Sequence, residues 1–252
     1  MKDTPKPLNG DNARPSERSI QFSLDELSMD EVTKSIRQIP AGDPEGTLPE
    51  VEISGVRGQH HAFMHLNHAV HVSLEGSLGD YAFAFNEESN ISMTGNVGHG
   101  VGEGMLSGSV KVRGNAGVGV GCSMMGGTLA IYGSAGDRCG AALRGGGIFV
   151  RGDVGTETGI GALGGTIVIG GNAGANLGDA ASNVIIFIRG EAESLADGVT
   201  EAPLRQREQL RLGLLLINAS IRGDAKDFRR VVPKAMLDFE NSKQGELSPN
   251  WR

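Results

Sequence analysis

Between residues 76 and 190 the apolar and glycine positions return every 19 residues, without insertion. Gly76, Gly95, Gly114, Gly133, Gly152, Gly171 and Gly190 mark the period. If each is counted as position zero, position 15 reads Ile91, Val110, Leu129, Ile148, Ile167, Ile186, and position 17 reads Met93, Val112, Ile131, Val150, Ile169, Ile188. Two β-branched-rich columns two residues apart are one face of a short strand, because strand side chains alternate. Position 2 is small and apolar throughout, from Leu78 through Val97, Ala116, Ala135 and Val154 to Ala173 and Ala192. Self-similarity at a fixed period of about 20 residues is the mark of a stacked solenoid. The pattern predicts an all-β, single-stranded β-helix over residues 57–190, of about seven coils when residues 57–75 are counted as a degenerate first coil. Crossover chirality favours the right-handed form.

The ends need caps, because a solenoid's last strands are open edges. Residues 21–56 are expected to hold an N-terminal cap: Ser28 and Glu31 form a capping box before a helix with Val32 and Ile36 on one face. Residues 191–252 are expected to hold a C-terminal helix and an extended tail. Thr200–Pro203 reads as the start of that helix, which carries Leu210, Leu214 and Ile217 at helical spacing. Residues 1–20, polar and Pro-rich, read as a disordered arm.

Composition narrows the picture. The 252 residues include 40 Gly, but only 9 Pro and 4% aromatics, so the core must be narrow and aliphatic. A net charge of −7 argues against nucleic acid as a general partner. No secretory signal and no membrane-length apolar run is visible, and two cysteines do not make a disulfide framework, so a cytoplasmic protein is expected.

Candidate chemistry is sparse. The glycine runs 117–121 and 98–102 resemble nucleotide loops, but they recur in every coil and lack the strand–loop–helix context. Corner glycines are the better reading: Gly95, Gly98, Gly102, Gly114, Gly117, Gly121, Gly133, Gly136, Gly140, Gly152, Gly155, Gly159, Gly171, Gly174 and Gly178, where positive φ or close backbone approach excludes a Cβ. All six histidines (His60, His61, His65, His68, His71, His99) fall early, yet no Cys or carboxylate cluster completes a metal set, so no metal site is assigned. Cys139 shares its column with Val101, Val120 and Leu177 and reads as core; Cys122 reads as partly exposed, and neither has a base beside it. Asp137, Asp153 and Asp179 fall on different faces, so no catalytic residue is assigned. Position 16, outward between the two core columns, turns from polar (Ser92, Lys111) to apolar (Phe149, Val168, Phe187). That strip needs a cover, either the chain's own C-terminal helix or a partner. Phe149, Val168, Phe187, Phe228 and Phe239 are the partner-interface candidates.

The repeat resembles the GXGXG β-helix that ends the large subunit of glutamate synthase. It also resembles the β-helical subunit of formylmethanofuran dehydrogenase and of related formyltransferase/hydrolase complexes. Within this superfamily it is most similar to the stand-alone glutamate-synthase-like subunit of N-methylglutamate synthase. The matching stretches are GNVGHGVGEGMLSG (95–108), GDRCG (136–140), NLGD (176–179), the helix 28–38 and DFRRV (227–231), within a likeness over about residues 20–240. The late stretch GTETGIGALG (155–164) departs from the bulkier pattern of that subunit. The resemblance implies a non-catalytic subunit of a hetero-oligomer, bridging a glutaminase-like amidotransferase subunit and an FMN-binding synthase-like subunit. The complex would convert glutamate and methylamine to N-methylglutamate. It implies no cofactor in this chain; FMN, with an Fe–S cluster as a further option, belongs to the partner. Two alternatives stay open: the equivalent subunit of a formyl-transferring C1 complex, and a free-standing enzyme or binding module using the His60–His71 cluster, for which bound metal would be the sign.

Overall fold

The computed structural model describes residues 19–40, 47–219, 221 and 223–242. Most of the expected N-terminal arm and the last ten residues lie outside the described residues.

One strand per coil stacks into a parallel ladder. The strands are β1 (Ile20–Ser23), β2 (Glu50–Ser54), β3 (His71–Glu75), β4 (Asn90–Thr94), β5 (Ser109–Val112), β6 (Thr128–Ile131), β7 (Gly147–Val150), β8 (Thr166–Ile169) and β9 (Ile185–Ile188). Neighbours pair in parallel, and from β3 onward partners are 19 residues apart, as in Ile91↔Val110 and Ile148↔Ile167. The fold is a β-solenoid of about seven turns. Both inward columns are at most 2% exposed from Ile91 to Ile188. Each such side chain contributes about 1.5–3 kcal/mol by leaving water. A second, thinner seam runs through position 2, where Val97, Ala116, Ala135, Val154, Ala173 and Ala192 are bridged in succession.

The first coil carries one extra residue. His61 N–H bonds to Asp80 O as Tyr81 N–H bonds to His99 O, an offset of 20, whereas β3 pairs with β4 at an offset of 19. The added residue therefore lies between His61 and His71. It leaves the strand register, and so the buried face, unchanged.

The N-terminal cap is richer than the sequence suggested. Helix α1 (Met29–Arg37) has the expected box: Ser28 Oγ accepts from Glu31 N–H at 3.3 Å, and Glu31 accepts from Ser28 N–H at 2.8 Å. Val32 and Ile36 are fully buried against the first coils. In addition β1 and β2 continue the ladder, with Val51 and Ile53 paired to Val72 and Leu74.

At the other end two expectations are corrected. Residues Thr200–Pro203 do not start a helix; they lie in strand β10 (Val199–Pro203). Strand β11 (Arg229–Pro233) inserts between β9 and β10, antiparallel to both, giving the order β1 through β9, then β11, then β10. The reversed pair covers the edge of β9, so that the sheet ends on β10. Helix α2 (Gln206–Asn218) begins later, where Glu208 accepts from Arg205 N–H at 2.7 Å. Its inner face is Leu212 and Leu216, not Leu210, Leu214 and Ile217, which are 72%, 59% and 73% exposed. A final helix, α3 (Lys234–Ser242), follows β11 directly.

A buried ion network fastens this cap. Arg230, on β11, reaches Glu208 of α2 at 3.3 Å and Glu240 of α3 at 2.7 Å, while Arg205 bonds to Glu208 at 2.8 Å and Glu240 at 3.1 Å. Arg230 and Glu208 are 4% and 1% exposed, so losing one partner would strand a charge in the interior.

Candidate functional site

Three surfaces hold the residues singled out from the sequence: the turn run of each coil, the outer strand face, and α2.

In the turn run, positions 5, 7 and 9 carry left-handed backbone again and again. Gly100, Gly102 and Gly104 have φ of 67°, 64° and 62°; in the two coils before, the same places are His61, Phe63, His65 and Tyr81, Phe83, Phe85, with φ between 53° and 59°. The position-7 glycines therefore need their φ, and they also face the core. A Cβ on Gly121 would stand 2.6 Å from Ile148 Cδ1. At position 3 the reason is different. Gly117 has ordinary φ, but its Cβ would meet the backbone of Gly98 at 2.9 Å, the close approach of one coil to the next. A loop so packed from both sides leaves no cradle for a phosphate.

The histidines are occupied separately. His61 stacks on Tyr81 with ring centroids 5.6 Å apart, and His65 stacks on Phe85 at 4.7 Å. His68 Nε2 lies 2.8 Å from Ile39 O. His60 and His99 belong to a ladder in which each side chain accepts from the backbone of the next coil: Asp80 N–H to His60 Nδ1 at 3.0 Å, His99 N–H to Asp80 Oδ1 at 2.8 Å, Val118 N–H to His99 Nδ1 at 2.9 Å. His60 Nδ1 also lies 3.4 Å from Asp80 Oδ2, which would be an ion pair only with a proton on Nδ1. The His99 N–H bond, chiefly, holds the Asp80 carboxyl below its usual range. Among the described residues no three His, Cys, Asp or Glu side chains gather as a metal site.

The other carboxylates serve the same kind of ladder. Asp137 accepts from Thr156 N–H at 2.8 Å and Asp153 from Asn172 N–H at 2.7 Å, while Asp179 reaches back to Gly161 N–H of the preceding coil and to Ala181 N–H of its own turn, both at 2.8 Å. Cys139 is fully buried, and that burial pushes its thiol up to about 12. Partial burial raises Cys122 as well, aided by the charge of Glu103. Neither is poised as a nucleophile.

The outer strand face divides in two. In the late coils Ala130, Phe149, Val168 and Phe187 form a second core with Leu212, Leu216, Ala219, Ile221, Ala225 and Phe228. The strip is covered by the chain's own C-terminal segment, one of the two covers considered. Phe149, Val168, Phe187 and Phe228 are at most 3% exposed and are corrected here from partner candidates to internal packing. Phe239 alone of the five is at the surface, 47% exposed on α3.

In the early coils the same face is open. A groove of about 970 Å³ runs over it, floored by Ser73, Ser92 and Ser109 and edged by Lys111, Arg113, Arg151 and Arg189. Tyr132 stands in this edge between Arg113 and Arg151 and donates to Ala219 O at 2.7 Å. Sequence reasoning missed this column, although position 18 of the repeat reads Arg113, Tyr132, Arg151, Gly170, Arg189.

Two apolar stripes also stay uncovered among the described residues. One is Leu210, Leu214 and Ile217 on α2, beside a groove of about 710 Å³ that reaches Ile221 and Ala225. The other is smaller: at position 11 of the coils Leu106 and Met125 are neighbours, 41% and 50% exposed, and Arg144 separates them from Leu163, 61% exposed. No helix among the described residues is long and apolar enough to cross a membrane.

No protein-family model matches the sequence, and no curated protein matches it.

Proposed function

We propose that the chain is a non-catalytic scaffold subunit of a glutamate-synthase-like complex, of the N-methylglutamate synthase type. In this reading it holds a glutaminase-like amidotransferase subunit and an FMN-binding synthase-like subunit in fixed relation. The flavin, and any Fe–S cluster, sit in the partner. The observation that carries the reading is the uncovered apolar stripe Leu210, Leu214 and Ile217 on α2, with the adjacent Leu106 and Met125 as a second, smaller patch on the solenoid. Exposed apolar patches of this kind mark docking sites, and two of them suit a bridge. The titratable side chains support it from the other direction, since most of the His, Asp and Cys groups named above are spent on a coil-to-coil ladder, a ring stack or the core. The free thiols fit a reducing, cytoplasmic setting.

Native purification from the source cell tests the proposal. Co-elution with a glutaminase-like protein and a flavoprotein, with glutamine- or methylamine-dependent activity in the assembled fraction, is the expected result. Co-elution with a metal-dependent amidohydrolase-like protein would place the chain in a formyl-transferring complex instead. A soluble monomer with full activity of its own would end the scaffold reading.

A further inference from the structure

We infer that the open groove over the early strands is a binding site for an extended acidic peptide segment. Its edge is cationic in a protein whose net charge is −7, and no Asp or Glu lines it. The side chains of Lys111, Arg113 and Arg151 form no ion pair or hydrogen bond with any described residue, although the chain has carboxylates in excess. Arg189 is partly committed, donating to Gly170 O at 2.7 Å and lying over the Phe228 ring. That pins its guanidinium at the end of the row.

Register sets the spacing. Arg113, Arg151 and Arg189 share position 18 on alternate coils, so neighbours stand about 10 Å apart, at ~4.8 Å per coil. The full row then spans about 19 Å, the reach of roughly six extended residues. A single phosphate or a small dicarboxylate touches only one end of such a row. A strand-like segment bearing several Glu or Asp side chains meets all of it, and Ser92 and Ser73, on the coils before Arg113, offer hydroxyls to a segment that continues toward them. Single-stranded nucleic acid fits less well, because it wants aromatic platforms. The groove has two rings, Tyr132, tied to Ala219, and His71 at the opposite end, too far apart to form a row of platforms. This inference does not depend on which complex the chain joins.

The test uses the purified full chain and fluorescein-labelled hexaglutamate, followed by anisotropy at low and at physiological salt. A six-nucleotide oligothymidylate and inorganic triphosphate serve as comparison probes. Each exposed charge pair is worth a factor of about two to five in affinity. The double variant Arg113→Gln/Arg151→Gln is therefore expected to bind the peptide roughly tenfold more weakly, and Lys111→Gln about threefold. Both arginines are exposed, so the fold should survive, which the far-UV spectrum and melting curve check. The charge-matched control Arg144→Gln/Arg207→Gln, away from the groove, should bind as the unaltered chain does. Three results would overturn the inference: no saturable peptide binding, an equal loss in the control, or tighter oligothymidylate binding with the same arginine dependence. The last would make the groove a nucleic-acid site.

Discussion

The outer face of the same parallel sheet meets water in β3–β5 and meets a helix in β7–β9. In the first stretch position 16 is Ser73, Ser92 and Lys111; in the second it is Phe149, Val168 and Phe187, sealed under Leu212, Leu216 and Phe228. The inner columns and the 19-residue register do not change across that boundary. Inner and outer layers are therefore set independently: the coil needs only its core face and its close-packed turns, and the outer face is free to carry either a second core or a binding surface. A similar substitution occurs inside. Phe63 and Phe83 occupy the turn position that later coils give to Gly102 and Gly121, and the two rings stack at 6.2 Å.

The largest effects should come from the sealed half. Phe187→Ala, which opens a void between sheet and α2, is expected to cost about 3–5 kcal/mol in denaturant unfolding. Arg230→Ala should cost about as much by leaving Glu208 and Glu240 uncompensated. Ser92→Ala on the open half should change stability by no more than about 0.5 kcal/mol. Equal costs at Phe187 and Ser92 would break the contrast between the halves.

Turn positions come next. Gly121→Ala suffers about 1–2 kcal/mol from its φ of 60°, and ~1–3 kcal/mol more because the buried Ile148 Cδ1 must move. Gly119→Ala has a φ of 76° but meets nothing closer than Cys122 Sγ at 3.3 Å, so only the backbone cost is expected. Parallel melts of the two variants would show whether position 7, and not position 5, faces the core.

Thiol chemistry reads the same layering without a substitution. With iodoacetamide at pH 8 the native chain should take up at most one label, slowly, at Cys122; Cys139, with its thiol near 12, should react only after unfolding. Two labels on native protein, by mass spectrometry, would put Cys139 outside the core.

The smallest effect lies in the early ladder. The folded carboxyl of Asp80 titrates below its ordinary value of 3.8, so its contribution is complete above the unfolded value and is lost as pH falls through the lower, folded one. Asp80→Asn keeps an acceptor for His99 N–H but removes that titration, just as Asn96 and Asn115 serve elsewhere without charge. Melting temperatures of the two proteins should converge on acidification through this range; a constant gap from pH 7 to 2.5 would argue against the ladder role.

Some of the candidate surface was legible and some was not. The apolar strip at Phe149, Val168 and Phe187 stood out, because a fixed register turns a sequence column into a spatial one. The cationic column at Arg113, Arg151 and Arg189 was equally readable in principle, since it obeys the same register. On α2 the sequence offered two apolar stripes, Leu210–Leu214–Ile217 and Leu212–Leu216. Helical period alone does not say which one turns inward. Strand β10 was hidden because its partner, β11, lies about thirty residues further on, and a pairing over that distance leaves no local signal.

The sequence by itself determined the solenoid: its 19-residue period, its two inward columns, and the glycines at the turns all follow from local spacing repeated in register. Only the tertiary structure decided which half of the strand face is sealed, which side of α2 is left bare, and how β11 reverses to pair with the edge of β9. Those outcomes depend on contacts between segments far apart in the chain, where burial of one apolar surface against another selects among faces that local pattern makes equivalent.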